Sequence, residues 1–385
     1  MSKKVKITQK QVRAARALEV VPHPGLKFSH KHHLFIAKAK RGELWALNHL
    51  SVPARAAVTP LLEMWPPKIP RKKKNSNKPP KPPKSMVAHV TDILTMIRSD
   101  WGALPCALDT RYLLSSGVPS ADHLKTVFDI ARKLGVVAVP VTSIRFSPAF
   151  QDVIKNIIAQ DHRGVMIRLL LTDFTDPKLV ADYLTALLNV LQIPASEADV
   201  LIDLELRREQ AAVQTLGASN LASIPNIGDW RTLTLAAGCF PQNITDLDYS
   251  KWYPIARSDW LGWLNVVSTR RAENKRIPSY GDYGIRCGGA PKDIPRGPDP
   301  NIRYSDKQQI IVRKEKKSDG GMKKICASLI ARPDFSGAPF SRGDEYIAAT
   351  AANSGSAKNG QAEQWIQWCS NHHLELTASQ IQSLP

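Results

Sequence analysis

Cysteine is scarce in this chain of 385 residues. The five present, Cys106, Cys239, Cys287, Cys326 and Cys369, are odd in number, widely spaced and without a CxxC pair. A disulfide framework needs partners and a zinc knuckle needs close ligand pairs, so neither organises this fold and the thiols read as reduced. Long apolar runs are also missing. No stretch of about 18 apolar residues occurs, and the basic start "MSKKVKITQKQVRAARALEVV" lacks an apolar segment of signal-peptide length. Neither a membrane span nor secretion is expected, and the chain reads as cytoplasmic. Acid is in short supply: 34 Asp and Glu stand against 53 Lys and Arg, a net charge of +19. That excess favours a polyanionic partner, nucleic acid, nucleotide or anionic lipid, and says nothing about fold. No HExxH, GxSxG or Walker loop is found. The "KAKRGE" after the first apolar run is not GxGxxG, which argues against dinucleotide binding of the Rossmann kind.

What the chain does have is alternation. β-Branched runs at 34–40, 57–64, 105–112, 136–144, 164–171, 198–206, 230–238 and 277–285 are separated by segments of helical period. Ser120, Ser147, Asp176 and Ser258 stand where helices are expected to begin. Eight such units over about 250 residues predict an α/β fold, a closed (β/α)8 TIM-like barrel, with a doubly wound open sheet as its rival. The barrel is expected over 34–286, after a basic N-terminal extension over 1–33 that includes an amphipathic helix over 6–21. A small C-terminal α+β extension over 287–385 is expected to pack on or near the barrel mouth. There, Trp365, Trp368 and Cys369 lie near one helical face, with Asn371, His372 and His373 at the helix end, Asn371 and His372 as caps or a lid.

Residues 66–84, "PPKIPRKKKNSNKPPKPPK", hold seven prolines, eight basic residues and no acid. Such a segment buries no apolar area and is expected to be a disordered basic insertion. It is either a solubilising loop or a phosphate-holding arm, with Lys72, Lys73, Lys74, Lys78 and Lys81 as nucleic-acid-binding candidates.

Side chains two apart in a strand share a face, so Lys38 pairs with Lys40, Asp109 with Arg111, and Asp203 with Glu205. With Glu63 and Arg168 they bring four cations and four anions to the carboxyl ends of strands, where barrel active sites lie. These eight are the catalytic candidates. Glu63, Asp203 and Glu205 can hold Mg²⁺ or act as general acid and base, and the cations can stabilise developing negative charge. A structural ion-pair network is the competing reading. "SYGDYG" adds Asp282 and Tyr283 to the mouth as ligand-binding candidates. His30, His32 and His33 read as a polar loop rather than a metal site.

The ordered strings "FIAKAKRGELWALNHL", "TPLLEM", "ALDTRYL", "DPNIRYSDKQQIIVRKEK", "FSRGDEYIAAT" and "NHHLELT" resemble the beta protein family of bacterial mobile elements, phages and phage satellites. The likeness runs from about residue 34 to the C-terminus. It implies a role in conflict between bacteria and phages, in anti-phage defence, and implies no reaction; a defence-system partner protein is expected if the barrel only senses or binds. The matching strings carry Lys38, Lys40, Gly42, Glu43, Glu63, Asp109, Arg111, Asp344, Tyr346, His372 and His373. Asp344, His372 and His373 join the ligand-binding candidates on that basis.

Overall fold

The computed structural model describes residues 29–67, 82–114, 116–289, 299–352 and 360–385. The amphipathic helix expected over 6–21 and Lys72, Lys73, Lys74, Lys78 and Lys81 lie outside the described residues. Eight parallel strands close into a barrel: β1 (His33–Lys38), β2 (Val58–Glu63), β3 (Cys106–Asp109), β4 (Ala138–Thr142), β5 (Val165–Leu170), β6 (Ala198–Leu206) and β7 (Thr232–Gly238), then, after β8 (Tyr253–Ala256) departs to another sheet, β9 (Ser279–Asp282). β9 pairs with both β7 and β1, which closes the ring and rules out the open sheet.

Parity decides what each strand shows to either side. Leu34, Ile36, Leu61, Ala107, Val139, Val141, Met166, Leu201 and Ala236 fill the interior as one cluster. Their neighbours Phe35, Leu62, Leu108, Ile167, Leu169, Ile202 and Leu235 face the helix layer. A strand buried on both sides therefore reads as a continuous apolar run, which is why β1 to β7 were visible in the sequence.

The surrounding helices are α1 (Arg41–Asn48), α2 (Val52–Ala56), α3 (Met86–Asp100), α4 (Ala121–Leu134), α5 (Pro148–Asp161), α6 (Pro177–Leu191), α7 (Gln210–Ala222) and α8 (Ser258–Ala272). In α4, Leu124, Val127, Phe128, Ala131 and Leu134 recur three and four apart and are buried. Ser120 caps its start by accepting from the His123 amide, and Gly135, at φ 69°, ends it in the left-handed conformation that glycine adopts most readily. Ser147 and Asp176 cap α5 and α6 as expected. Ser258 does not cap α8: Arg257 is the cap residue, and the Ser258 hydroxyl donates to the Arg207 carbonyl at 2.6 Å.

The C-terminal unit contains β10 (Asn301–Ser305), β11 (Gln309–Lys314), α9 (Gly321–Ile330), α10 (Arg342–Ala351) and α11 (Ala362–Gln382). It also borrows from the barrel segment, because β8 completes an antiparallel sheet in the order β10-β11-β8. Its core joins Cys239, Phe240 and Ile285 to Ile302, Tyr304, Ile310, Val312, Ile325, Leu329, Ile347 and Trp368. Helix α11 runs on to Gln382, so Asn371, His372 and His373 lie in its middle rather than at its end. Asn371 neither caps it nor acts as a lid: its side chain accepts from the Gly343 amide at 2.9 Å and donates to the Ala46 carbonyl at 3.0 Å, tying α10 and α1 together. Gly343 has to be glycine here, since a Cβ would lie 2.1 Å from the Trp368 carbonyl oxygen.

Candidate functional site

Strand register brings the predicted charges together. Lys38 lies opposite Glu63, and Glu63 opposite Asp109, all with the parity of the barrel interior. Across the ring, Arg168 and Asp203 share that parity through Met166 and Leu201. Arg168 is 1% exposed and sits at the centre. Its Nη1 donates to Glu63 at 3.0 Å and to Asp109 at 2.8 Å, its Nε to Asp203 at 2.9 Å, and its Nη2 to the Tyr283 hydroxyl at 2.8 Å. Tyr283 in turn donates to Asp203 at 2.6 Å. Arg111 donates through Nε to Asp109 at 2.7 Å and lies over the Phe146 ring, with its Nη2 buried and unpartnered.

This arrangement is a closed ionic plug, and the acids in it are unequal. Burial pushes the Asp109 carboxyl up, but Arg111 and Arg168 more than offset this and hold it below the usual range. Glu63 is equally buried and accepts from Arg168 alone among these cations, so burial prevails over Arg168, and Asp109 adds to it, raising Glu63 above the ordinary glutamate value. Beside it, burial and then the repulsion of Arg286 lower Lys38. Lys38 lies 4.8 Å from the centre of the Trp65 ring, and Trp65 stacks on Tyr112 at 4.6 Å. An acid raised and a base lowered at adjacent strand ends have their proton affinities drawn toward each other, the direction that favours proton transfer between them.

Lys38, Glu43, Glu63, Tyr283, Arg286, Cys287 and Ser370 are among the residues that line a small open-sided cavity of about 10 Å³, room for about one water molecule. Glu43, in the first turn of α1, accepts from Arg286 at 2.7 Å and is 2% exposed. Lys40 caps α1 in extended conformation and is half-buried. Glu205 departs from the expected pairing with Asp203. A register shift between Asp203 and Leu206 puts Glu205 at φ 58°, exposed, with its amide donating to Asp203. The Mg²⁺ reading has no cage to rest on. Glu63 and Asp203 surround a guanidinium, and among the described residues no three His, Cys, Asp or Glu side chains are placed to hold a metal ion.

Four of the five ligand-binding candidates lie elsewhere. Tyr283 points into the barrel, but Asp282, one residue earlier, points out of it. There it accepts from His33 at 2.9 Å and from His373 of α11 at 2.8 Å, bridging the barrel wall to the C-terminal unit. His33 therefore belongs to β1 and to this seam, not to a loop. His372 bonds Asp344 at 2.8 Å and the Ser305 carbonyl at 2.8 Å, and stacks on Tyr304 at 3.9 Å. Asp344 also accepts from Tyr304 and Ser341. These groups hold layers together, away from the cavity.

Burial lowers His373 to about 4, so at neutral pH its Nε2–H donates to Asp282 and its Nδ1 accepts from the Ser305 hydroxyl. The unfolded ring titrates near 6.5 and the folded one near 4. Its contribution is therefore complete above pH 6.5 and is lost as pH falls toward 4, on the order of 3 kcal/mol. An NMR titration of the native protein should find the His373 ring still neutral at about pH 5; a midpoint near 6.5 would contradict the packing described.

Sequence reasoning missed Arg286 and Arg303, and gave Glu43, Trp65 and Tyr112 no site role. Glu43 and Arg286 meet only after the barrel closes, and Arg303 reaches this region because β10 pairs with β11, which pairs in turn with β8, an arrangement no local pattern announces.

Comparison with known proteins adds a family. No curated protein matches the chain. Among solved structures, the carboxyl transferase domain of Rhizobium etli pyruvate carboxylase, with pyruvate and biocytin, is 11% identical over 90% of this chain and 48% of its own, with a TM-score of 0.34. This chain thus spans about half the length of that structure. The 3-keto-D-glucoside 4-epimerase of E. coli is 9% identical over 54% of this chain and 81% of its own, with a TM-score of 0.26. No helix among the described residues is long and apolar enough to cross a membrane. The family model described as Beta protein matches residues 35–378, and the chain belongs to the Beta protein family.

Proposed function

We propose that this protein acts in anti-phage defence through a barrel-mouth site for a phosphorylated ligand, a nucleotide or a nucleic-acid end. In this reading Glu63 and Lys38 transfer the proton, and Arg168, Asp109, Asp203 and Tyr283 position Glu63. The observation that carries it is the pairing of a raised Glu63 with a lowered Lys38 on the wall of one cavity. The defence role follows the likeness to proteins of phages, satellites and mobile elements, and the net charge of +19 agrees with an anionic ligand.

The complete hydrogen bonding of Arg168 favours a second reading, in which the mouth is a rigid platform and the protein senses or binds while a partner protein acts. Phage plating on cells carrying Glu63→Gln or Lys38→Met separates the two. The catalytic reading expects protection lost to the level of cells without the gene, consistent with the roughly 10²–10⁴-fold contribution of a general acid or base, and an unchanged melting temperature. Wild-type-like protection by Glu63→Gln transfers support to the binding reading. A wild-type protein that leaves plating unaltered removes the defence role itself.

A further inference from the structure

We propose that Lys38, Arg286 and Arg303 form a subsite for a phosphate dianion at the seam between barrel mouth and C-terminal unit. It rests on the reading of the mouth as a ligand site and names the group that anchors the ligand. Three cations come from separate parts of the chain: Lys38 from the end of β1 and Arg286 from just past β9 both line the cavity, and Arg303 from β10 stands behind them as an electrostatic neighbour of Arg286, outside the lining. Arg286 and Cys287 are electrostatic neighbours of Lys38 and Arg303 alike. Arg303 is fixed in place by donating through Nη1 to the Ile285 carbonyl at 3.1 Å and by lying over the Phe240 ring at 4.3 Å.

The charges around them do not cancel. Arg286 has Glu43 at 2.7 Å, while Glu63 is engaged by Arg168 at 3.0 Å. Arg303 has no carboxylate partner among the described residues, and its buried Nε meets no acceptor at all. Burial and then Arg286 lower it to about 10, the mark of a cation held without compensation. Lys38, over Trp65, has no ion-pair contact among the described residues either. Three cations face Glu43 and a share of Glu63, whose partner Arg168 is divided among three carboxylates, so positive charge is in excess. A phosphate monoester carries about −1.5 to −2 at pH 7, a closer match than a carboxylate, and guanidinium forks and an ammonium suit its several oxygens. The cavity of about 10 Å³ has room for only a water-sized group, so Lys38 and Arg286 must move apart for the anion to enter.

Thermal unfolding of the full chain, in sodium phosphate against sodium chloride of equal ionic strength, tests this together with calorimetric titration of inorganic phosphate. Phosphate is expected to raise the wild-type melting temperature above that in chloride. In Arg303→Met that rise is expected to vanish and binding to weaken about tenfold to hundredfold, as for losing a charged hydrogen bond. Without phosphate the variant should melt at or above the wild-type temperature, because an unmatched cation has gone. The subsite is overturned if wild type responds to phosphate as it does to chloride. It also falls if Arg303→Met keeps the response, which places the anion on the other lysine-rich segments, or if the variant melts lower without phosphate, which makes Arg303 structural. Failure here leaves the plating result of Glu63→Gln untouched, and failure of plating leaves phosphate binding untouched, so the two readings fall separately.

Discussion

Arg168→Met is expected to lose about 3–5 kcal/mol of stability, the cost of breaking a buried ionic network by removing one partner, with a melting temperature lower by on the order of 10 °C. The reason is specific. Three buried carboxylates, Glu63, Asp109 and Asp203, share this guanidinium, and Arg111 supplies only Asp109. Adding Asp203→Asn to Arg168→Met should recover part of the loss, because one of the stranded charges is then neutral. Circular dichroism melts of the wild type, the single and the double variant measure both effects. A single variant melting within about 2 °C of wild type would mean the network is not the structural centre described here.

Asp282→Ala is expected to destabilise by a similar amount, about 3–5 kcal/mol, by a different route. Asp282 is the shared acceptor for His33 on β1, His373 on α11 and the amide of Gly284. Its removal strands three buried donors at once and cuts a side-chain tie between the barrel wall and the C-terminal helix. Hydrogen exchange should therefore speed up in α11 before the inner strands, since a seam opens locally at lower cost than the barrel. Asp282→Asn, which keeps one acceptor oxygen, should fall between. Equal protection of α11 in Asp282→Ala and wild type would contradict the seam.

How much of this was legible beforehand depended on locality. Strands β1 to β7 showed as apolar runs because each is buried on both faces, and β6, Ala198–Leu206, matches its expected limits residue for residue. The interior charges were legible because parity is a property of one strand: Lys38, Asp109, Arg168 and Asp203 were placed by counting in twos, and Glu63 as the residue that ends its strand. The same counting failed at Glu205, where a bulge breaks the alternation, and at Asp282, where the parity of a short strand rich in Gly and Tyr gave no apolar reference. Asp344, His372 and His373 were selected from strings of sequence likeness, and such strings do not distinguish a ligand site from a packing seam. Arg286 and Arg303 depend on chain closure and on an antiparallel sheet that takes β8 from the barrel segment. Those are long-range facts.

Glu63 is a carboxyl raised above its ordinary range by burial, beside a lysine lowered below its own by burial and Arg286. Its ionisation can be followed directly by carbon-13 NMR of labelled glutamate side chains, with Glu63→Gln assigning the resonance. The account predicts a midpoint above the ordinary 4.5, moving further up in Lys38→Met as a favourable charge is withdrawn. A midpoint at or below 4.5, indifferent to Lys38, would show Glu63 to be one more acceptor in the ionic plug and would contradict the proton-transfer pair.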